Sequence, residues 1–143
     1  MENIQDLFDQ ILSNVVYIGY DIPQALTPLK GYKGVVDPHI TLAFRPTYNE
    51  ALMILEQNPQ FEEFKVTGYG RNNTNEAVSV EKPKNCKNDI AHITISHKGR
   101  PVDSNLLTFN SGDLEKKLKE RNIPDKFIGI LTFVTTDGKR WNL

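Results

Sequence analysis

The sequence predicts an α+β fold with mostly antiparallel strands. Three observations predict it. Apolar residues switch between helical and alternating periods along the chain, in the order helix, strands, helix, strands, helix, strands. Turn-rich segments separate the strands. Apolar residues make up 38% and charged residues 24%, enough for an ordinary packed core. A chain of 143 residues suits one domain, or two small lobes sharing a cleft.

The elements follow in order. Ile4, Leu7, Phe8, Ile11 and Leu12 repeat at i, i+3 and i+4, giving a short amphipathic helix. Val15 to Ile22 is β-branched and aromatic, hence a strand, and Pro23 ends it. Pro23 to Gly34 holds two prolines and two glycines, with Lys30, Tyr32 and Lys33, and reads as a mobile loop. His39 to Phe44 is a second strand, stopped by Pro46. Tyr48 to Gln57 reads as a helix offering Ala51, Leu52, Ile54 and Leu55 to the core. Phe61 to Tyr69, Ala77 to Val80 and Ile90 to His97 read as three more strands. Residues 70–75 and 82–88 are the turns between them. Ser111 is placed to cap a helix running to about Arg121, with Asp113 in its first turn. Phe127 to Thr135 is a long strand, and Asp137-Gly138 a hairpin turn before Arg140-Trp141-Asn142-Leu143.

Charge and composition exclude several function classes. Seventeen basic residues against eighteen acidic ones give a net charge of −1. A protein that coats long nucleic acid needs many cationic contacts, so that class is set aside. A small anionic ligand held by a local cluster of donors is compatible. The single cysteine, Cys86, excludes an internal disulfide framework and a multi-cysteine metal site. The acids Glu2, Asp6 and Asp9 near the N-terminus do not fit a secretory signal. No apolar run approaches the roughly 20 residues a membrane helix needs. A cytoplasmic monomer without membrane contact, in a host cytoplasm if virus-encoded, is expected.

The three histidines, His39, His92 and His97, carry the functional signal. Residues 38–43 read Pro-His-Ile-Thr-Leu-Ala, and residues 91–96 read Ala-His-Ile-Thr-Ile-Ser. Two of three histidines thus have Ile next and Thr two places on, in a chain with ten threonines. Both motifs fall in predicted strands. Strand side chains alternate faces, so His39 and Thr41 point the same way, as do His92 and Thr94. Ile40 and Ile93 point oppositely and can anchor each strand in a core. Each motif presents an imidazole beside a hydroxyl, and the two pairs can face one another across a cleft. Histidine titrates near pH 6.5, so one ring can take a proton while the other gives one. The threonine hydroxyls can donate to oxygens of a phosphoryl group as charge builds there. His39, Thr41, His92 and Thr94 are therefore the candidate catalytic residues, with no metal and no cofactor required. His97 lacks the motif and is given a surface or supporting role.

The paired motif resembles the signature of the 2H phosphoesterase superfamily, which includes RNA 2′,3′-cyclic phosphodiesterases and LigT-like proteins. That signature, His-hydrophobic-Thr/Ser-hydrophobic, occurs twice in those proteins. Here it stands at His39-Ile40-Thr41-Leu42 and His92-Ile93-Thr94-Ile95. The resemblance implies a bilobal fold: two small antiparallel sheets with outer helices around a central cleft, one motif on an inner strand of each lobe. It also implies metal-independent cleavage of a phosphodiester. Within the superfamily the chain is most similar to phage-type and RNA-repair-like members. One phage subgroup, the anti-CBASS proteins, destroys cyclic oligonucleotide signals of bacterial immunity. The segment Gly99 to Asn105 resembles one in that branch, which makes Ser104 and Asn105 candidate substrate contacts.

Aromatic stacking on a nucleobase adds Tyr17, Tyr20, Tyr32 and Trp141 as candidates. Tyr17 and Tyr20 cannot share one face of a regular strand. Trp141, beside the C-terminus, fits a lid over a base. Lys30, Lys33, Arg71 and Arg100 are candidate phosphate donors; Lys116 and Lys117 are expected at the surface. Three functions remain open: a phosphodiesterase for cyclic oligonucleotides, a 2′,3′-cyclic phosphodiesterase in RNA repair, and a protein that sequesters a nucleotide uncut. The expected partner in each is a small cyclic nucleotide or oligonucleotide.

Overall fold

A computed structural model describes residues 4–143, and the fold is α+β. In chain order the elements are α1 (Ile4–Ser13), β1 (Val15–Asp21), β2 (Lys33–Gly34), β3 (His39–Phe44), α2 (Tyr48–Gln57), β4 (Phe61–Arg71) and β5 (Asn75–Val80). They continue as β6 (His92–His97), a 3-10 helix (Pro101–Leu106), α3 (Leu114–Arg121), β7 (Lys126–Thr135) and β8 (Arg140–Trp141). No helix of the described residues is long and apolar enough to cross a membrane.

The eight strands form one antiparallel sheet in the order β2-β6-β5-β4-β7-β1-β3, with β8 also on β7. Two separate sheets were expected; β4 makes them one. Its first half, Phe61–Lys65, pairs with β7, and its second half, Val66–Arg71, pairs with β5. From the central β4–β7 pair, β3 lies two strands away on one side and β6 two strands away on the other. These are the two strands that carry the histidine motifs. They are not hydrogen-bonded to each other, yet the sheet curls until they are neighbours.

Alternation explains what each motif strand buries. Ile40, Leu42, Ile93 and Ile95 are buried, while His39, Thr41, His92 and Thr94 on the other face are half-exposed. The buried set joins one core with Ile18, Tyr20, Phe64, Phe127, Leu131 and Phe133 from the intervening strands. Burying side chains of this size contributes about 1.5–3 kcal/mol each before conformational entropy is set against it. Glycine is required where β1 meets β3. A Cβ at Gly19 would stand 2.5 Å from the Ile40 carbonyl oxygen, at the bulge between Ile18 and Gly19. A larger residue there would push β3, and His39 with it, away from β1.

Several boundaries differ from those expected. Residues 23–34 include the short strand β2, which pairs Lys33 with His97 and Gly34 with Ser96. The loop is held further by the Leu29 N–H, which donates to Ser96 Oγ, and by the Thr27 carbonyl, which accepts from Arg121. β4 and β5 extend into the predicted turn because Asn72 closes it tightly, its Oδ1 accepting from the backbone of Thr74 and Asn75. Ser111 does not cap α3. Asp113 holds the N-cap position with left-handed φ 53° and no side-chain cap bond, so the helix starts at Leu114. The predicted hairpin turn at Asp137-Gly138 is present, with Gly138 at φ 82°.

Candidate active site

His39, Thr41, His92 and Thr94 line a single cleft of about 440 Å³. Tyr17, Phe44, Asn88, Val102 and Asn105 complete much of its wall. Sequence spacing placed each pair on one strand face; the curl of the sheet brings the two pairs together.

The two histidines occupy matching surroundings. His39 Nδ1 lies 2.9 Å from the Asp37 carbonyl oxygen, and His92 Nδ1 lies 3.3 Å from the Ile90 carbonyl oxygen. In each case the acceptor belongs to the residue two places earlier. A carbonyl only accepts, so Nδ1 carries a proton on both rings, and Nε2 is left for proton transfer. Each ring is also stacked on an aromatic at an interplanar angle of 28°. Tyr17 covers His39 at 5.0 Å between centroids, and Phe109 covers His92 at 5.9 Å. These rings fix the orientation of each imidazole plane.

Electrostatics acts on His92. Burial pushes the His92 imidazole below its usual 6.5; the Ile90 carbonyl opposes this, and the proximity of His39 adds to it. His92 is therefore biased toward the neutral form, able to accept a proton. No Lys or Arg lines the cleft among the described residues.

The two threonines also differ. Thr94 Oγ1 lies 2.8 Å from Ser104 Oγ and 3.4 Å from the Pro101 carbonyl oxygen. Ser104 is fully buried and in turn accepts from Asn75 Nδ2 at 3.1 Å; the same Nδ2 donates to the Arg100 carbonyl at 3.0 Å. This network pins the 3-10 helix to β5 and β6 and sets Thr94 against it. Thr41 has no side-chain bond of this kind. Its carbonyl accepts from the half-buried Cys86 thiol at 3.5 Å, whose ionisation burial pushes up.

The proposed substrate contacts divide. Tyr17 and Asn105 line the cleft. Tyr20 does not: it lies in the core, fully buried, with its hydroxyl donating to the Pro59 carbonyl. Ser104 is buried behind Thr94, where it supports the site without reaching a ligand. Trp141 is no lid. It sits in β8 opposite Phe133, partly packed on the core, with its indole N–H donating to Thr135 Oγ1 at 3.1 Å. Tyr32 is outside the cleft, its hydroxyl donating to the Asn72 carbonyl. Lys30, Lys33, Arg71 and Arg100 are likewise absent from the cleft wall, and Arg100 pairs with Asp103. His97 ends its strand with Nδ1 at 2.8 Å from the Gly99 carbonyl oxygen.

Sequence reasoning passed over Arg140, Asn88 and Phe109. Arg140 forms an ion pair with Asp21, its guanidinium lies 5.8 Å from the Tyr17 ring centroid, and its Nη1 is 3.9 Å from Asp37 Oδ2. It thus braces both the ring that covers His39 and the residue whose carbonyl orients it. No sequence signal separates Arg140 from other surface arginines, because its partners lie about a hundred residues away. Among the described residues, no group of three or more His, Cys, Asp or Glu side chains is placed to hold a metal ion. Comparison with family models, with curated proteins and with solved structures returns no match to this chain.

Proposed function

We propose that this protein is a phosphodiesterase of the 2H type that cleaves a cyclic oligonucleotide, using His39 and His92 as acid and base. The observation that carries this reading is the matched pair: two imidazoles on one cleft, each with Nδ1 on a carbonyl, a stacked ring and a threonine two residues on. The placement of β3 and β6 at equivalent distances from the β4–β7 pair favours a two-lobed arrangement, β7-β1-β3 against β4-β5-β6.

The chemistry follows from the bias of His92 toward its neutral form. His92, biased neutral, takes a proton at Nε2 from the attacking water or ribose hydroxyl as its oxygen bonds to phosphorus. The bond from phosphorus to the leaving oxygen breaks, and that oxygen takes a proton from His39 Nε2. Exchange with solvent then returns His92 to neutral and His39 to protonated. Each such group typically contributes about 10²–10⁴-fold to rate. Thr41 donates to a non-bridging oxygen, and Thr94 does the same by turning its hydroxyl proton from Ser104 to the phosphoryl group. A cleft without a fixed cation suits the single negative charge of a diester better than the double charge of a phosphomonoester.

The test is a substrate panel in EDTA: cyclic dinucleotides, cyclic trinucleotides and nucleoside 2′,3′-cyclic phosphates. Cleavage of the cyclic oligonucleotides is expected, and it should fall by about 10²-fold or more in His39→Ala and in His92→Ala. Cleavage of only the 2′,3′-cyclic phosphates would assign RNA-end chemistry to the same four residues. A ligand bound and recovered intact would mean sequestration. Near-normal turnover in either histidine variant would refute the acid–base pair.

A further inference from the structure

A second cavity, of about 390 Å³, adjoins the cleft at His92. The two hollows share His92, Asn88 and Asn105, so anything seated at the histidines has direct access to it. Ile90, Leu107 and Phe109 give it apolar surface, and Phe109 is the ring stacked on His92.

Its polar groups fit a neutral ligand. Among the described residues the Asn88 and Asn105 carboxamides make no hydrogen bond, whereas those of Asn58, Asn75, Asn85 and Asn142 are all engaged. A carboxamide presents a donor and an acceptor in one plane. Lys87 on this wall is drawn to Glu50. Asp89 adds a negative charge to the same wall. A second phosphate would therefore meet repulsion here. A flat heterocycle with apolar faces and a donor–acceptor edge matches apolar surface and free carboxamides alike.

We propose that this cavity is a nucleobase subsite, read by Asn88 and Asn105, for the nucleoside on the His92 side of the scissile phosphate. The proposal rests on the phosphodiesterase reading and sharpens it. A diester joining two nucleosides fills the cleft and the side cavity together. A nucleoside 2′,3′-cyclic phosphate has only one nucleoside to place. The site is therefore built for an internal internucleotide linkage.

Binding, measured apart from turnover, tests this. The His39→Ala protein serves as the non-cleaving parent, and the probe is the dinucleoside monophosphate ApA. Two half-analogues accompany it: adenosine 3′-(methyl phosphate) and adenosine 5′-(methyl phosphate). Adding Asn88→Ala or Asn105→Ala should weaken ApA binding about three- to tenfold, the value of one lost hydrogen bond. One half-analogue, the one lacking the nucleoside on the His92 side, should bind these variants as it binds the parent. Unchanged ApA affinity in both variants, equal weakening of both half-analogues, or no binding of ApA to the parent would each overturn the subsite. The phosphodiesterase reading is judged separately, by turnover of the unmodified protein on the substrate panel.

Discussion

Glu76→Gln probes the buried ion pair beneath the motif strand β6. Glu76 is fully buried on β5. Its carboxylate accepts from Arg121 Nε at 2.5 Å and Nη2 at 2.8 Å, from Ser96 Oγ at 2.9 Å and from the Tyr69 hydroxyl. Four donors converge on two oxygens. A glutamine has the same shape but offers one acceptor and turns an NH₂ toward the remaining donors. Breaking a buried pair from one side costs about 3–5 kcal/mol, and the partial exposure of Arg121, 16%, places this case near 3 kcal/mol. For a domain of this size that lowers Tm by about 9 °C, at roughly 3 °C per kcal/mol. The pH dependence is a sharper test. Burial alone would raise the Glu76 carboxyl, but its bonds to Arg121, Tyr69 and Ser96 outweigh burial and hold it below its ordinary 4.5. A carboxyl lowered by folding stabilises fully above the unfolded value, and that stabilisation is lost as pH falls through the folded value. The stability gap between the parent and Glu76→Gln should thus be full at pH 7 and shrink progressively below about pH 4.5. Urea denaturation of both proteins at pH 7, 4.5 and 3 measures it. A gap that stays constant with pH, or is under about 1 kcal/mol at pH 7, would refute the charged network as a source of stability.

Three further outcomes are expected. In proton NMR titrations the His92 ring should titrate below 6.5, and its value should rise in His39→Gln, where the neighbouring imidazole charge is gone; an unmoved His92 would mean that the two rings are not coupled. The same depression means that His92 contributes stability above pH 6.5 that is lost as pH falls through its folded value, and the acid limb of kcat/KM should follow it. Ser104→Ala should reduce kcat about fivefold by freeing Thr94, and should have little further effect in a Thr94→Ala background; additive losses would separate the two residues. Trp141→Ala should destabilise the fold by about 2 kcal/mol or more without changing substrate affinity, since the indole packs on the core and bonds Thr135. A fall in affinity at unchanged stability would restore the lid.

What was legible in the sequence is what depends on near neighbours along the chain. Alternation placed His39 with Thr41 and His92 with Thr94, and it buried Ile40 and Ile93 beneath them. It also separated Tyr17 from Tyr20, although it could not say which faced the cleft. Facing Tyr17 toward His39 takes the pairing of β1 with β3, which sets Asp21 opposite His39 and bulges at Gly19. Ser111 misled because a good capping residue has no effect unless the next residues turn helical. Here the chain pairs Tyr69 with Asn110 and then passes through a left-handed Asp113 before α3 begins. Trp141 misled for a related reason: its position near the chain end suggested freedom, but the turn at Gly138 folds it back onto β7.

The supporting residues show why a site is harder to read than a motif. Arg140 reaches Asp21 across 119 positions, Ser104 reaches Asn75 across 29, and Asn105 and Asn88 come together in the walls of the two hollows. None of these distances leaves a period in the sequence. They also explain how two nearly identical four-residue motifs acquire unequal surroundings. The local part, a carbonyl under Nδ1 and a hydroxyl two residues on, is the same in both. Long-range packing then buries His92 enough to push its imidazole down, ties Thr94 to Ser104, and leaves Thr41 with no such tie among the described residues. In the proposed acid–base pair, the downward shift of His92 favours it as the group that starts neutral and takes the proton. On the proposed reading, the repeat supplies the two groups, and the packing around His92 gives it the end of the reaction at which a proton is accepted.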